Sequence, residues 1–155
     1  MSKTNIEIVR ELLRGATDPK IVYALVAPDA TYVSLTYKNP ELTKIMPWAG
    51  THTGEGPAAV LKTFVDVNRY WTVIEFEPQQ ILGDGENVAV FGNFTLKSKK
   101  LRKQFTSPFS VLATVKNGKV TYMQYMEDTL GTGATFRSGG TWKFESNPDG
   151  GEVEI

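Results

Sequence analysis

A tight turn at Asn117-Gly118 constrains the fold of this chain more than any other short segment. Both central residues of a type I′ turn need a positive φ, and Asn-Gly adopts that turn readily. Segments rich in β-branched and aromatic residues flank the turn, so it predicts an antiparallel hairpin with strands over 104–115 and 120–128. With these two residues as the loop, Lys116 faces Lys119 and the register follows from there.

This register predicts which side chains of the hairpin share a face. Side chains alternate between the two faces of a strand, so every second residue points the same way. The predicted inner face is mostly apolar but ends in a carboxylate, with Ser107 expected opposite Asp128. Its members are Phe109, Val111, Val120, Tyr122, Gln124, Met126 and Asp128.

Composition excludes several classes of protein. The chain has 155 residues, a formal net charge of zero, one histidine and no cysteine. A length of this order predicts a single domain, and the neutral charge argues against nucleic-acid or membrane-surface partners. The histidine and cysteine counts exclude thiolate and multi-histidine metal centres, so we expect no metal and no cofactor. Without a signal peptide or an apolar span of roughly 20 residues, the chain is expected to be cytoplasmic.

Helix signals come first along the chain and strand signals follow. Thr4-x-x-Glu7 is a capping box, Asp18-Pro19 is a typical N-cap and first helical position, and a third helix is expected near Pro57. Residues 30–37, 73–82 and 88–96 are β-rich, whereas 39–50 is expected to be irregular. This order predicts an α+β domain in which N-terminal helices pack on a curved, mainly antiparallel sheet. Such a sheet forms a cone with an internal cavity.

Three segments resemble one known superfamily when they occur in this order. They are residues 50–60 before the third helix, residues 105–109, and the strand that runs from Gly118-Lys119 to Asp128-Thr129. Together they resemble SnoaL-like and ketosteroid-isomerase-like members of the nuclear transport factor 2-like superfamily. The resemblance covers residues 5–130, and we expect residues 1–130 to form one domain. It leaves 131–155 as a C-terminal extension that we expect to pack on the same domain, with Asn147–Gly151 loose.

The resemblance implies a catalytic role for the aspartate that ends the last strand. In cyclase-like relatives the matching aspartate acts as a general acid or base, and an apolar cavity would raise the pKa of Asp128. The alternative is that Asp128 bonds local amides at the strand end. His52 is a second catalytic candidate, since a neutral histidine near a helix N-terminus can donate to a carbonyl. It could equally be an exposed loop residue.

Seven further side chains are expected to bind the substrate. The aromatic ones could equally be ordinary core residues, whereas an amide beside a carboxylate on an apolar face needs partners. The basic run 97–103 could attract phosphate, or could protect a sheet edge from pairing. The candidate substrate-binding residues are Gln124, Tyr122, Met126, Ser107, Tyr32, Trp48 and Trp71.

Two departures from the resembled enzymes keep the function open. The first helix lacks the tyrosine of the steroid isomerases, and strands 88–96 and 104–115 lack the arginine of the epoxide hydrolases. We expect an isomerase, cyclase or hydratase-like enzyme that acts by acid/base chemistry on a small apolar carbonyl compound. The alternative is a non-catalytic ligand-binding or dimerisation module. The outer sheet face, expected to carry Met123, Tyr125 and Leu112, suggests a homodimer.

Overall fold

The computed structural model describes residues 1–145 and 148–155. Its helices and strands follow the order that the sequence predicts, with additional short elements. The helices are α1 (Asn5–Arg14), α2 (Pro19–Leu25), α3 (Pro40–Ile45), α4 (Pro57–Tyr70) and α5 (Thr129–Ala134). The strands are β1 (Val26–Ser34), β2 (Gly50–His52), β3 (Trp71–Asp84), β4 (Asn87–Ser98), β5 (Gln104–Lys116), β6 (Lys119–Glu127), β7 (Lys143–Phe144) and β8 (Val153–Glu154).

The predicted caps begin the first two helices. The backbone N–H of Glu7 donates to Thr4 Oγ1 at 3.2 Å while the Glu7 carboxylate accepts from the Thr4 N–H at 2.7 Å, which completes the capping box. Asp18 Oδ1 accepts from the Lys20 N–H at 2.9 Å at the start of α2. The expectation of irregular structure over 39–50 is wrong in part, because Asn39 caps the short helix α3.

Six strands form one curved sheet in the order β2-β1-β6-β5-β4-β3. β1 and β6 are parallel and the other neighbours are antiparallel. Helices α1, α2 and α4 pack on the sheet, and the buried residues between them form the core. The fold is therefore the predicted α+β cone, a mainly antiparallel sheet covered on one face by helices.

The hairpin register is correct beside the turn and shifts by one residue farther out. Lys116 pairs with Lys119 and Val115 with Val120, but the pairing then skips Thr121. A skipped residue of this kind is a β-bulge, and it reverses the face on which every later side chain lies. Beyond the bulge, Phe109 therefore pairs with Glu127 instead of Met126.

Because of the bulge, the outer sheet face carries different residues of β6 from those expected. Met123 and Tyr125 were predicted to point outward, but they are 1% and 7% exposed and belong to the core. Leu112 does lie on the outer face and is 44% exposed. The pairing instead places Tyr122, Gln124 and Met126 on the outer side of β6.

The segment after β6 returns to the body of the domain. The ring of Phe136 stacks on Trp71 with a centroid distance of 4.3 Å, and β7 pairs with β8 as a separate two-stranded sheet. Of the expected loose segment, Asn147 lies outside the described residues and 148–150 form a turn and bend. In the described part of the chain, every helix is too short or too polar to cross a membrane.

Candidate functional site

An aromatic cavity lies between α4 and the concave face of the sheet. Its volume is about 60 Å³, which is room for about two water molecules at roughly 30 Å³ each, so a molecule bound there must be compact. Among the described residues, the lining contains no lysine, arginine or histidine. The lining residues are Tyr32, Ser34, Leu35, Trp48, Thr63, Phe64, Val67, Trp71, Val73, Phe76, Phe94, Leu96, Tyr125 and Glu127.

Glu127 is the one carboxylic acid of this lining among the described residues. The residue is partly buried, but its Oε2 atom is sealed from solvent and has no hydrogen-bond partner in the described part of the chain. Burial raises the pKa of the Glu127 carboxyl to about 7, the Thr132 hydroxyl opposes that rise, and the Asp128 charge adds to it. Glu127 can therefore give or take a proton near neutral pH.

Asp128, the predicted catalytic residue, lies outside the cavity. Its Oδ1 accepts from the Gly131 N–H at 3.1 Å, so the side chain is the exposed N-cap of α5. The placement expected from the sequence is wrong because of the bulge at Thr121. After the bulge, residue 127 and not residue 128 lies on the cavity side of β6. Ser107 and Asp128 do meet, but through the Asp128 N–H, which donates to Ser107 Oγ at 2.9 Å.

His52 lies behind the cavity wall with both ring nitrogens occupied. Nε2 is 2.8 Å from the Trp48 carbonyl oxygen, which can only accept, and Nδ1 is 3.2 Å from a Glu55 carboxylate oxygen. The ring also stacks near Tyr32 with a centroid distance of 6.1 Å. His52 thus supports two residues of the lining without reaching the cavity itself.

The predicted substrate-binding residues divide into two groups. Tyr32, Trp48 and Trp71 line the cavity, and the two tryptophan rings meet edge to face with centroids 5.6 Å apart. The other four do not line the cavity, and for the three on β6 the reason is the shifted register. Tyr122, Gln124 and Met126 are on the outer side of β6, and Ser107 is buried at the junction with Asp128.

Two buried tyrosines lie near enough to the Glu127 carboxyl to interact with its charge. Burial raises the pKa of both Tyr32 and Tyr125 well above the usual value, and the charge of Glu127 raises both further. Both phenols therefore keep their protons while Glu127 titrates. Neutral phenols beside a proton-transfer group in an aromatic cavity can stabilise charge that develops on a carbonyl oxygen.

Sequence reasoning missed Glu127 and Tyr125 because both depend on the bulge. One local signal was available: aspartate is a preferred N-cap residue, so Asp128 could have been interpreted as the start of a helix. The described residues hold no group of three or more histidine, aspartate or glutamate side chains that could bind a metal ion.

Comparison with known proteins agrees with this architecture. The family model of the SnoaL-like domain matches residues 9–123. Patulin synthesis protein F of Aspergillus clavatus is 42% identical over 150 residues, which cover 94% of this chain and 76% of that protein. Patulin biosynthesis cluster protein F of Penicillium expansum is 40% identical over 153 residues, covering 96% and 77%.

A solved structure shares the fold. An NTF2-like protein from Burkholderia xenovorans superimposes with a TM-score of 0.70 at 25% identity, covering 86% of this chain and 95% of that one. The family match spans most of the chain and the fungal relatives span nearly all of it. The chain belongs to the SnoaL-like domain family.

Proposed function

We propose that the protein is an isomerase or cyclase that moves protons on a compact, neutral carbonyl compound held in the cone cavity. The observation that carries this proposal is the Glu127 carboxyl, which faces an aromatic cavity, has one oxygen without a partner among the described residues, and has a pKa of about 7. An acid or base works best when its pKa is near the working pH. A purely structural carboxyl would instead be expected to have both of its oxygens hydrogen-bonded.

The proposed step conserves atoms and electrons. Glu127 removes a proton from a carbon next to the carbonyl, and the electron pair of that C–H bond moves onto the carbonyl oxygen as an enolate. Tyr32 and Tyr125 are the neighbouring donors proposed to stabilise that oxygen. Glu127 then returns the proton at another atom, which gives an isomer, or the enolate attacks a second electrophile in the same molecule and closes a ring.

The relatives support this reaction class. Both fungal relatives are named for patulin synthesis, which is small-molecule biosynthesis. The absence of lysine, arginine and histidine from the described lining favours a neutral substrate, because a bound anion would face Glu127 without a cation to balance it.

The test uses a natural source of small oxygenated compounds. Purified protein is incubated with a culture extract of a Penicillium expansum strain that lacks its patulin biosynthesis cluster protein F. Mass spectrometry then follows each compound. We expect one compound to be replaced by another of the same elemental composition, or of a composition that differs by one water. Glu127→Gln protein should leave the extract unchanged.

Two outcomes would contradict the proposal. If the Glu127→Gln protein converts the compound at the wild-type rate, Glu127 is not the acid or base of the reaction. An extract compound that binds the wild-type protein tightly and is recovered unchanged would favour the alternative, a non-catalytic binding module. Equilibrium dialysis of the same extract against the protein measures that binding.

We also propose that a second copy of the chain covers the outer sheet face. Phe91 and Leu112 are 49% and 44% exposed on this face, and Met126 lies in the same cross-strand row as Phe91. Leu112→Glu should release monomers, measured as molar mass by light scattering. Leu130→Glu is the matched control, since Leu130 is exposed on α5. A dimer that survives Leu112→Glu would contradict this interface.

A further inference from the structure

The cavity has a polar side and a hydrocarbon side. Every lining residue on β1 and β6 carries a hydroxyl or carboxyl group, whereas the lining side chains on β3 and β4 are hydrocarbon apart from the indole N–H of Trp71. Strand β5 lies between these two pairs of strands and contributes no lining residue within the described part of the chain. The polar set is Tyr32, Ser34, Tyr125 and Glu127, and the other set is Trp71, Val73, Phe76, Phe94 and Leu96.

The one polar side-chain atom of the hydrocarbon side is already bonded to Thr135. Trp71 Nε1 donates to Thr135 Oγ1 at 2.8 Å, and both residues are 2% exposed. Thr135 Oγ1 donates its own proton to the Thr132 carbonyl oxygen at 2.7 Å. A threonine hydroxyl has a single proton, so this oxygen faces the indole as an acceptor. Its direction is fixed because its partner is a backbone carbonyl of α5.

Two aromatic rings hold the plane of the Trp71 indole. The Phe136 ring stacks on it with a centroid distance of 4.3 Å and an interplanar angle of 30°. Trp48 meets it edge to face at 5.6 Å. Phe136 supports the indole from outside the cavity lining, and like Thr135 it lies beyond residues 9–123, which the family model matches. With its N–H bonded to Thr135, the indole presents only carbon atoms to the cavity.

We propose that Thr135 is a specificity-determining positioning residue, which fixes Trp71 as a hydrocarbon wall so that the cavity selects a compact molecule with its oxygen atoms along one edge. This inference rests on the proposed function, because it takes the cavity as the ligand site. The oxygen atoms face β1 and β6, where Glu127 lies, and the hydrocarbon edge lies against β3 and β4. An oxygen on that second edge would lose its water without gaining a donor, which costs free energy.

Two uncharged probes measure this selectivity without turnover. 2-Butanone and hydroxyacetone are nearly equal in size and differ in one end group, which is a methyl in the first and a hydroxyl in the second. Their dissociation constants are measured by NMR titration of the full-length protein, following the carbon-13-labelled methyl groups of Leu96, which lines the cavity. The wild type should bind 2-butanone more tightly than hydroxyacetone.

Three variants are titrated beside the wild type. Thr135→Val removes the acceptor and keeps the shape of the side chain, whereas Thr135→Ser keeps the hydroxyl. Thr95→Val is the matched control, because Thr95 is also buried, its Oγ1 lies 2.8 Å from Thr106 Oγ1, and it does not line the cavity. Nitrogen-15 spectra of each protein report the indole N–H of Trp71, which is assigned by its loss in Trp71→Phe.

Thr135→Val should release the indole. The Trp71 N–H signal should shift and exchange faster with solvent, and the preference for 2-butanone over hydroxyacetone should fall about five-fold, the effect of one hydrogen bond. Thr135→Ser and Thr95→Val should both stay near the wild type in signal and in preference. If the valine variant does not fold, Thr135→Ala removes the same acceptor.

An unchanged probe preference in Thr135→Val would overturn the inference. An equal fall in Thr135→Val and Thr95→Val would do so as well, because it would assign the effect to general loosening of the fold. A wild type that binds both probes equally, or neither, would show that the cavity does not select in this way. Failure of the proposed function gives a different result: the culture extract stays unchanged, while the probe preference and its dependence on Thr135 remain.

Discussion

Glu127 and Asp128 are neighbouring carboxylic acids in opposite surroundings. Glu127 ends β6 on the cavity side, where burial raises its pKa to about 7 and its Oε2 has no partner among the described residues. Asp128 is exposed and caps α5 through the Gly131 N–H. The contrast teaches that solvation and hydrogen bonding, more than the kind of side chain, decide which acid is suited to proton transfer.

The largest expected difference between the two acids is in turnover. Glu127→Gln removes the proposed acid and base and should lower kcat by about 10²–10⁴-fold, with ligand affinity little changed. Asp128→Asn should keep kcat within a few-fold, because asparagine caps a helix nearly as well as aspartate. Rates of both variants on the converted extract compound measure the difference. A large loss in Asp128→Asn alone would reverse the assignment.

A second pair of neighbours on β6 tests the register itself. Met123 is 1% exposed in the core, and Met126 lies on the outer side, opposite Ser110. Met123→Ala should lower the free energy of unfolding by about 2–5 kcal/mol. Met126→Ala should lower it by less than about 1 kcal/mol, since surface changes are usually small. Urea denaturation compares the two, and equal losses would contradict the shifted register.

The fold could be predicted from local signals that act over a few residues. The capping box at Thr4, the Asp18-Pro19 helix start and the Asn117-Gly118 turn each form as expected. Asn117 and Gly118 both have positive φ, at 50° and 77°, as the type I′ turn requires. These signals depend on backbone geometry that their own residues determine, so their order predicts the α+β class.

The site could be predicted less well because it depends on one inserted residue. The Thr121 hydroxyl donates to the Thr114 carbonyl oxygen at 3.3 Å, but the neighbour of β6 on its other edge comes from a distant part of the chain that the hairpin sequence does not specify. β1 pairs with the other edge of β6 and also shifts register over this stretch. Tyr32, Trp48 and Trp71 were predictable as cavity residues because they lie outside the shifted segment.

The ionisation of Glu127 should also make the stability of the protein depend on pH. Its pKa is about 7 in the folded protein and 4.5 in ordinary surroundings, so between these values the folded state binds more protons than the unfolded state. The free energy of unfolding should therefore fall as pH rises from about 4.5 to 7, by about 3 kcal/mol in total. Glu127→Gln should lose this slope. A wild-type stability that rises over the same window, with the variant unchanged, would contradict the buried carboxyl.

The smallest expected effect concerns the capping role of Asp128. Asp128→Ala removes the acceptor of the Gly131 N–H, so it should lower the free energy of unfolding by about 1 kcal/mol. Asp128→Asn, which keeps an acceptor at that position, should stay close to the wild type, and thermal denaturation at pH 8 compares the variants where Glu127 is ionised in all of them. Removing the Asp128 charge should also lower the pKa of Glu127, because that charge helps to raise it. An alanine variant as stable as the wild type would mean that Asp128 does not hold α5, and the stability contrast between the two acids would then rest on Glu127 alone.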